Sequence, residues 1–336
     1  MADRINVTKS FLPPKQEYEQ MLERIWASEW LTNNGPLLVE LEQKLQQKLE
    51  LPYLAVTSNG TIAIQLAIKA LNLSGEVITT PFSYCATTTS ILWENLKPVF
   101  VDINPEDLNI NADQVEGAIT EKTTAILATH VYGNPCHVEK LEALGKKYGL
   151  KIIYDAAHAF GVEYKGRSLL AYGDVSTCSF HATKVFHTVE GGCVICHDPE
   201  LYNTVKLMRS FGHVQDEYFL PGVNGKNSEF HAAMGLVNLG HLDAIIAGRR
   251  QIFALYDELL DWKKLYKPTE RAADLVYNYA YYPVVLQDVT TTLQVLEALK
   301  RENIYPRRYF YPTLNTLQYI PVQYDCPVRR GHFFPG

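Results

Sequence analysis

Lys151-Ile-Ile-Tyr-Asp155-Ala-Ala-His158-Ala-Phe-Gly161 and, further along, Val175-Ser-Thr-Cys-Ser179-Phe-His-Ala-Thr-Lys184 decide the fold of this sequence. Each stretch begins with a short apolar run that does not alternate with polar residues. Each run then stops abruptly on a carboxylate, a hydroxyl or a lysine. Non-alternating runs of this length read as strands buried on both faces, which means a mostly parallel sheet with helices on either side. In such sheets ligands bind beyond the carboxyl ends of the strands. The polar residues that end these runs are therefore where chemistry is to be sought.

Working outward, further strands are expected at residues 53–57, 76–79, 98–102, 125–130 and 192–196, with helices at 61–71, 86–94, 112–119 and 138–148. Two helices precede the sheet, at 15–28 and 36–49; Leu38, Leu41, Leu45 and Leu49 recur at helical spacing, and Pro36 suits a helix start. A long helix over 228–261, a strand at 281–286, a helix at 291–301 and an aromatic-rich tail follow. The chain has 336 residues, more than one core usually holds. The expectation is an α/β protein with a large lobe (1–230) and a smaller C-terminal α/β lobe (231–336).

The net charge is -6, which argues against a nucleic-acid surface, where a basic stripe is needed. An anionic substrate would need local positive charge. No apolar run reaches ~18 residues and the first residues lack an export signal, so a cytoplasmic protein is expected. The six cysteines are too sparse for a secreted disulfide scaffold. Cys193-Val-Ile-Cys196-His197 fits the c-type haem attachment pattern. It lies in an apolar run after Gly191-Gly192 and reads as strand. Glycine-rich nucleotide-binding motifs do not occur.

Four strand ends carry unusual polar residues. Ser58-Asn-Gly60-Thr61 lies between a strand and a helix, where free N–H groups bind an anion and Gly60 allows close approach; alone, an ordinary capped turn explains it as well. Pro81-Phe-Ser-Tyr84 offers an aromatic for a flat ring, although core aromatics are commoner. Asp155 ends a buried strand and needs a positive partner, which a salt bridge or a protonated pyridine nitrogen would supply. His158 follows three residues on and, taken singly, is a structural histidine more often than a ligand. Lys184 lies just beyond a strand, where desolvation lowers the pKa of an amine and makes it nucleophilic toward a carbonyl; Ser179 is placed to hold a phosphate. Together these residues offer a phosphate cradle, a carboxylate for a ring nitrogen, a stacking aromatic and an amine for a Schiff base. That is the set pyridoxal 5'-phosphate needs from a protein.

With these residues in place, the sequence resembles the DegT/DnrJ/StrS sugar aminotransferases, of the aspartate aminotransferase fold (fold type I). The resemblance runs over residues 31–312 and rests on Ser58-Asn-Gly-Thr61, Pro81-Phe-Ser-Tyr84, Phe100-Val-Asp-Ile103, His130-Val-Tyr-Gly-Asn-Pro135, Asp155-Ala-Ala-His158, Ser179-Phe-His-Ala-Thr-Lys184, Glu190-Gly-Gly192, Arg209-Ser-Phe-Gly212 and Gly222-Val-Asn-Gly-Lys226. It implies that Lys184 carries the cofactor and shuttles the proton. Asp155 would pair with the pyridine nitrogen, His158 would lie near the phenolic oxygen and Tyr84 would cover the ring. Gly60, Thr61 and Ser179 would bind the phosphate, joined by Asn224 of a second subunit, so a homodimer with shared sites is implied. Some members carry histidine in place of the lysine and act as dehydratases; Lys184 favours transamination. The implied substrates are L-glutamate and a nucleotide-linked keto sugar. Val7-Thr-Lys-Ser-Phe-Leu-Pro-Pro14, Leu31-Thr-Asn-Asn-Gly35 and Gly222-Val-Asn-Gly-Lys226 look like enzymes that aminate dTDP-4-keto-6-deoxyglucose at carbon 4 for surface glycans such as O-antigen. After Cys326-Pro327 the tail departs from the family pattern, so a truncated small lobe is expected.

Overall fold

The computed structural model describes residues 4–268, 272–320 and 326. Seven strands form the central sheet: β1 (Leu54–Thr57), β2 (Glu76–Thr79), β3 (Lys97–Phe100), β4 (Thr123–Thr129), β5 (Lys151–Asp155), β6 (Val175–Ser179) and β7 (Gly192–Cys196). Their order is β1-β7-β6-β5-β4-β2-β3. β2, β3, β4, β5 and β6 pair in parallel, and β7 runs antiparallel to both β1 and β6. The sequence thus folds as the mostly parallel α/β sheet expected of it.

Neighbouring residues on one strand go to opposite cores, which is why the runs do not alternate. Val56, Ile78, Ile126 and Ile152 pack in one apolar cluster; Ala55, Val77, Leu127 and Ile153 pack in another on the other face. The first cluster is covered by α1 (Lys15–Ser28) and α2 (Pro36–Leu49), and by α5 (Val138–Tyr148), which follows α3 (Gly60–Ala70) and α4 (Cys85–Trp93) in the chain. The second is covered by α3 and by α6 (Pro199–Met208). α6 was not expected, although Asp198, whose side chain accepts from the Leu201 N–H, and Pro199 behind it are an ordinary helix start.

α7 (Glu229–Leu259) has 31 residues and is long and apolar enough, by length and composition, to cross a membrane. Its apolarity has a local cause. Ala232, Ala233, Leu236 and Leu242 are buried in the first cluster, beside Leu38 and Leu41 of α2. α7 spans the lobe boundary expected at residue 230. Its entry is tied to α2 by Glu229, a buried carboxylate that accepts the Leu37 and Leu38 N–H groups at 2.7 and 3.0 Å. α8 (Val289–Arg301) follows, capped by Asp288.

One expected element fails. Residues 281–286 are not a strand; the segment makes a single bridge, Tyr266 to Val285. Pro283 lacks the N–H a ladder needs, so no continuous ladder forms there. The haem-like Cys193-Val-Ile-Cys196 is strand β7, with both cysteines buried, as its apolar context implied. The departure of the tail after residue 327 lies outside the described residues.

Candidate active site

All parallel strands end on one edge of the sheet, and β7 begins there: Gly192 lies opposite both Thr57 and Ser179. This register places the turn after β1 beside the end of β6. Asn59 caps α3 through its side chain, which accepts the Ile62 N–H at 2.9 Å. The N–H groups of Gly60 and Thr61, in the first turn, have no acceptor among the described residues. Gly60 is there because nothing larger fits: a Cβ would come within 2.9 Å of Ser179 Cβ. Two backbone donors and a serine hydroxyl thus meet at a positive helix end, a cradle for a dianionic phosphate.

Asp155 ends β5 and is 5% exposed. Its Oδ2 accepts the Thr87 hydroxyl at 2.6 Å and its Oδ1 accepts the Ala157 N–H at 3.1 Å. Among the described residues no lysine, arginine or histidine forms a salt bridge with it. A buried carboxylate in that state wants a cationic partner from outside the chain.

Lys184 sits in the turn after β6, half-buried, with Nζ 3.3 Å from the Tyr281 hydroxyl. Burial pulls its pKa below the usual lysine value, while the charge of Asp155 partly restores it. His158 is buried. Its Nδ1 accepts the Tyr132 N–H at 3.1 Å, which leaves the ring proton to Nε2. Burial, and then the Lys184 charge, hold this imidazole well below its ordinary pKa, so it is neutral. Tyr281 lies 4.3 Å from the His158 ring, and Tyr132 and Phe310 run nearly parallel to that ring. An aromatic wall therefore closes one side of the space in front of Lys184.

Tyr84 caps α4 with its side chain 52% exposed, and the Arg307 guanidinium lies 5.9 Å from its ring. Asn224 is exposed and accepts from Lys226 Nζ at 2.8 Å. The loop carrying it abuts the cradle, since Gly225 O accepts the Ser58 N–H at 2.8 Å. Gly60, Thr61, Ser179, Asp155, His158 and Lys184 are thus gathered on one sheet edge, with Tyr84 at its rim and Asn224 facing outward.

Residues 14–330 match the model of the DegT/DnrJ/EryC1/StrS aminotransferase family. This chain belongs to that family. Among members of the DegT/DnrJ/EryC1/StrS family, a dTDP-4-amino-4,6-dideoxy-D-glucose transaminase from Shigella dysenteriae is 41% identical over 335 residues, covering 98% of this chain and 91% of its own. A GDP-perosamine synthase from Escherichia coli O157:H7 is 31% identical, covering 90% and 84%. The crystal structure of DesI with its TDP-sugar product superposes with a TM-score of 0.92 at 31% identity, covering 98% of this chain and 86% of that one. The fold is that of the sugar aminotransferases and the chain is an aminotransferase by family, as the motifs implied.

Sequence reasoning missed four groups that touch this space. Thr87 carried no signal, because a threonine in a helical stretch is unremarkable in sequence. Tyr281 was assigned to a strand. Tyr132 lay inside a quoted motif without a role of its own, and Arg307 lay in the aromatic-rich tail, where no residue was singled out. Arg209, also within a quoted motif, is structural: it is buried, pairs with Glu42 and donates to Val56 O.

Proposed function

We propose that this aminotransferase uses pyridoxal 5'-phosphate and L-glutamate to convert dTDP-4-keto-6-deoxy-D-glucose to dTDP-4-amino-4,6-dideoxy-D-glucose, a precursor for surface glycans. The observation that carries the cofactor reading is Asp155, a buried carboxylate with no salt-bridge partner among the described residues, on the same edge as a desolvated lysine. The substrate reading is supported by the 41% identity to the Shigella enzyme over nearly the whole chain.

When bound, the cofactor supplies a protonated ring that acts as an electron sink. The chain does the rest. Asp155 would pair with the ring nitrogen and favour its protonated form. The Gly60 and Thr61 N–H groups and the Ser179 hydroxyl would hold the phosphate. Neutral His158, with its proton on Nε2, would donate to the phenolic oxygen, and Tyr84 would cover the ring. Lys184 Nζ would carry the cofactor at rest and, once free, would hold and move the proton, with the Tyr281 hydroxyl 3.3 Å away to position it. Arg307 and Lys226 supply the local positive charge that an anionic donor or a nucleoside diphosphate needs on an acidic chain.

Asn224 is assigned to the phosphate site of a second copy of this chain, which makes the enzyme a homodimer with shared sites. Sedimentation tests the dimer. The large lobe (1–230), the small lobe (231–336) and a cytoplasmic location belong to the same reading; Cys85, Cys136, Cys178, Cys193 and Cys196 form no disulfide among the described residues. Incubating purified protein with cofactor, L-glutamate and the 4-keto sugar nucleotide tests the activity. The expected product carries nitrogen at carbon 4, read by mass spectrometry and NMR. Amination of only a 3-keto sugar nucleotide would overturn the substrate, and no amination of any keto sugar would overturn the activity.

A further inference from the structure

We infer that Thr129, Ser83 and Thr87 form a one-way chain of hydroxyl donors that fixes Asp155 for the cofactor's ring nitrogen, with Thr87 as the positioning residue. This rests on the cofactor reading above. Thr87 Oγ1 lies 2.6 Å from Asp155 Oδ2 and 2.7 Å from Ser83 Oγ, and Ser83 Oγ lies 3.0 Å from Thr129 Oγ1. All four residues are at most 5% exposed.

The direction follows from proton counting. An ionised carboxylate only accepts, so Thr87 donates to Asp155. A hydroxyl has one proton, so Ser83 must donate to Thr87 and Thr129 must donate to Ser83. Three pieces of the fold meet in this chain. Thr129 ends β4 directly opposite Asp155 in the register, Ser83 lies in the turn after β2, and Thr87 is in the first turn of α4. A β-branched residue at 87 has few rotamers, which keeps its hydroxyl aimed.

The chemical consequence differs from that of a salt bridge. An arginine on Asp155 would cancel its charge and compete with the ring. Polarised hydroxyls stabilise the ionised carboxylate and leave its charge available. With Oδ2 held by Thr87 and Oδ1 by the Ala157 N–H, the carboxylate cannot rotate, and each oxygen keeps a lone pair for an in-plane N–H. The charged and titratable groups on its other sides are Lys184 and Tyr281.

The test uses full-length wild type, Thr87→Val, Thr87→Ser and Ser83→Ala. Valine keeps the shape of threonine and removes the donor. Pyridoxal phosphate affinity is read by fluorescence quenching, and the bound cofactor is titrated with pH by its absorbance. Thr87→Val is expected to bind about tenfold or more weakly, the loss of one charge-assisted hydrogen bond. Its absorbance midpoint rises, because a ring nitrogen that holds its proton less firmly repels the other cofactor proton less. Thr87→Ser restores both readouts. Ser83→Ala moves the midpoint in the same direction by less, and carries the test if Thr87→Val does not fold. Wild-type affinity and midpoint in the variant that is read would overturn the relay. A wild-type protein that binds no pyridoxal phosphate would overturn the cofactor reading with it, so the two failures are distinguishable.

Discussion

Gly60→Ala is the substitution whose effect the structure defines most closely. A Cβ on Gly60 would sit 2.9 Å from Ser179 Cβ and 3.3 Å from both Ser179 Cα and Oγ. Comfortable carbon–carbon contact is ~3.5–4.0 Å, so the start of α3 and the end of β6 must part by several tenths of an ångström. Cα and Cβ of Ser179 cannot rotate out of the way. Overpacking of this kind costs about 1–3 kcal/mol. Alanine is the better helix former by up to ~1 kcal/mol, so the protein without cofactor should lose no more than about 3 kcal/mol. The cradle loses more, because the same displacement moves the Gly60 and Thr61 N–H groups away from Ser179 Oγ. Losing one charge-assisted hydrogen bond to phosphate, ~1.5–3 kcal/mol, weakens binding roughly 10- to 150-fold. The assay is titration of cofactor-free protein with pyridoxal phosphate and, in parallel, with pyridoxal, which lacks the phosphate. The variant should discriminate against pyridoxal phosphate and leave pyridoxal binding nearly unchanged. Equal weakening of both ligands, or no weakening, would refute the cradle.

Three further outcomes are expected. His130 is fully buried, with its pKa pushed down to about 3 by burial from an ordinary 6.5. Both states are neutral above pH 6.5, but below it only the unfolded chain takes the proton, so stability falls with pH; in His130→Asn the loss between pH 7 and 5 should be smaller by roughly 2 kcal/mol, read from denaturation midpoints. Lys184 has its pKa lowered by burial and partly restored by Asp155. The rate at which cofactor-free protein captures pyridoxal phosphate should therefore rise with pH through a midpoint below 10.5, and Asp155→Asn should move that midpoint lower still; an upward move in stopped-flow data would contradict the electrostatics. Tyr281→Phe removes the 3.3 Å partner of Lys184 Nζ, a bond of ~0.5–1.5 kcal/mol, and should cut kcat about 2- to 12-fold with little change in KM for glutamate. A change confined to KM would place Tyr281 in substrate binding instead.

The sheet was legible because every central strand is buried on both faces, so its apolar runs are continuous, and because the residues ending those runs are costly to bury without a role. Lys151-Ile-Ile-Tyr-Asp155 shows both features within five residues. The hydroxyl chain on Asp155 was not legible. Ser83 and Thr87 lie together on the segment after β2, but Thr129 and Asp155 come from β4 and β5, and only the packing of that segment against the sheet brings the four together. Tyr281 was hidden by its setting, Tyr281-Tyr-Pro-Val-Val-Leu286, whose apolar content reads as strand until Pro283 is given its full weight. Arg307 belongs to an aromatic-rich tail whose place over Tyr84 is set by long-range packing, to which local pattern gives no access. The missed residues share one character: they act through neighbours distant in sequence.

Lys184 is the residue on which the proposed chemistry depends. Reducing the cofactor-loaded protein with borohydride fixes the cofactor to the amine that holds it, and digestion followed by mass spectrometry identifies that amine. The predicted result is one modified peptide, with pyridoxal phosphate on Lys184 and none in the Lys184→Ala protein, which should fold as a dimer and turn over nothing. Modification at a different lysine, or turnover by Lys184→Ala, would contradict the assignment.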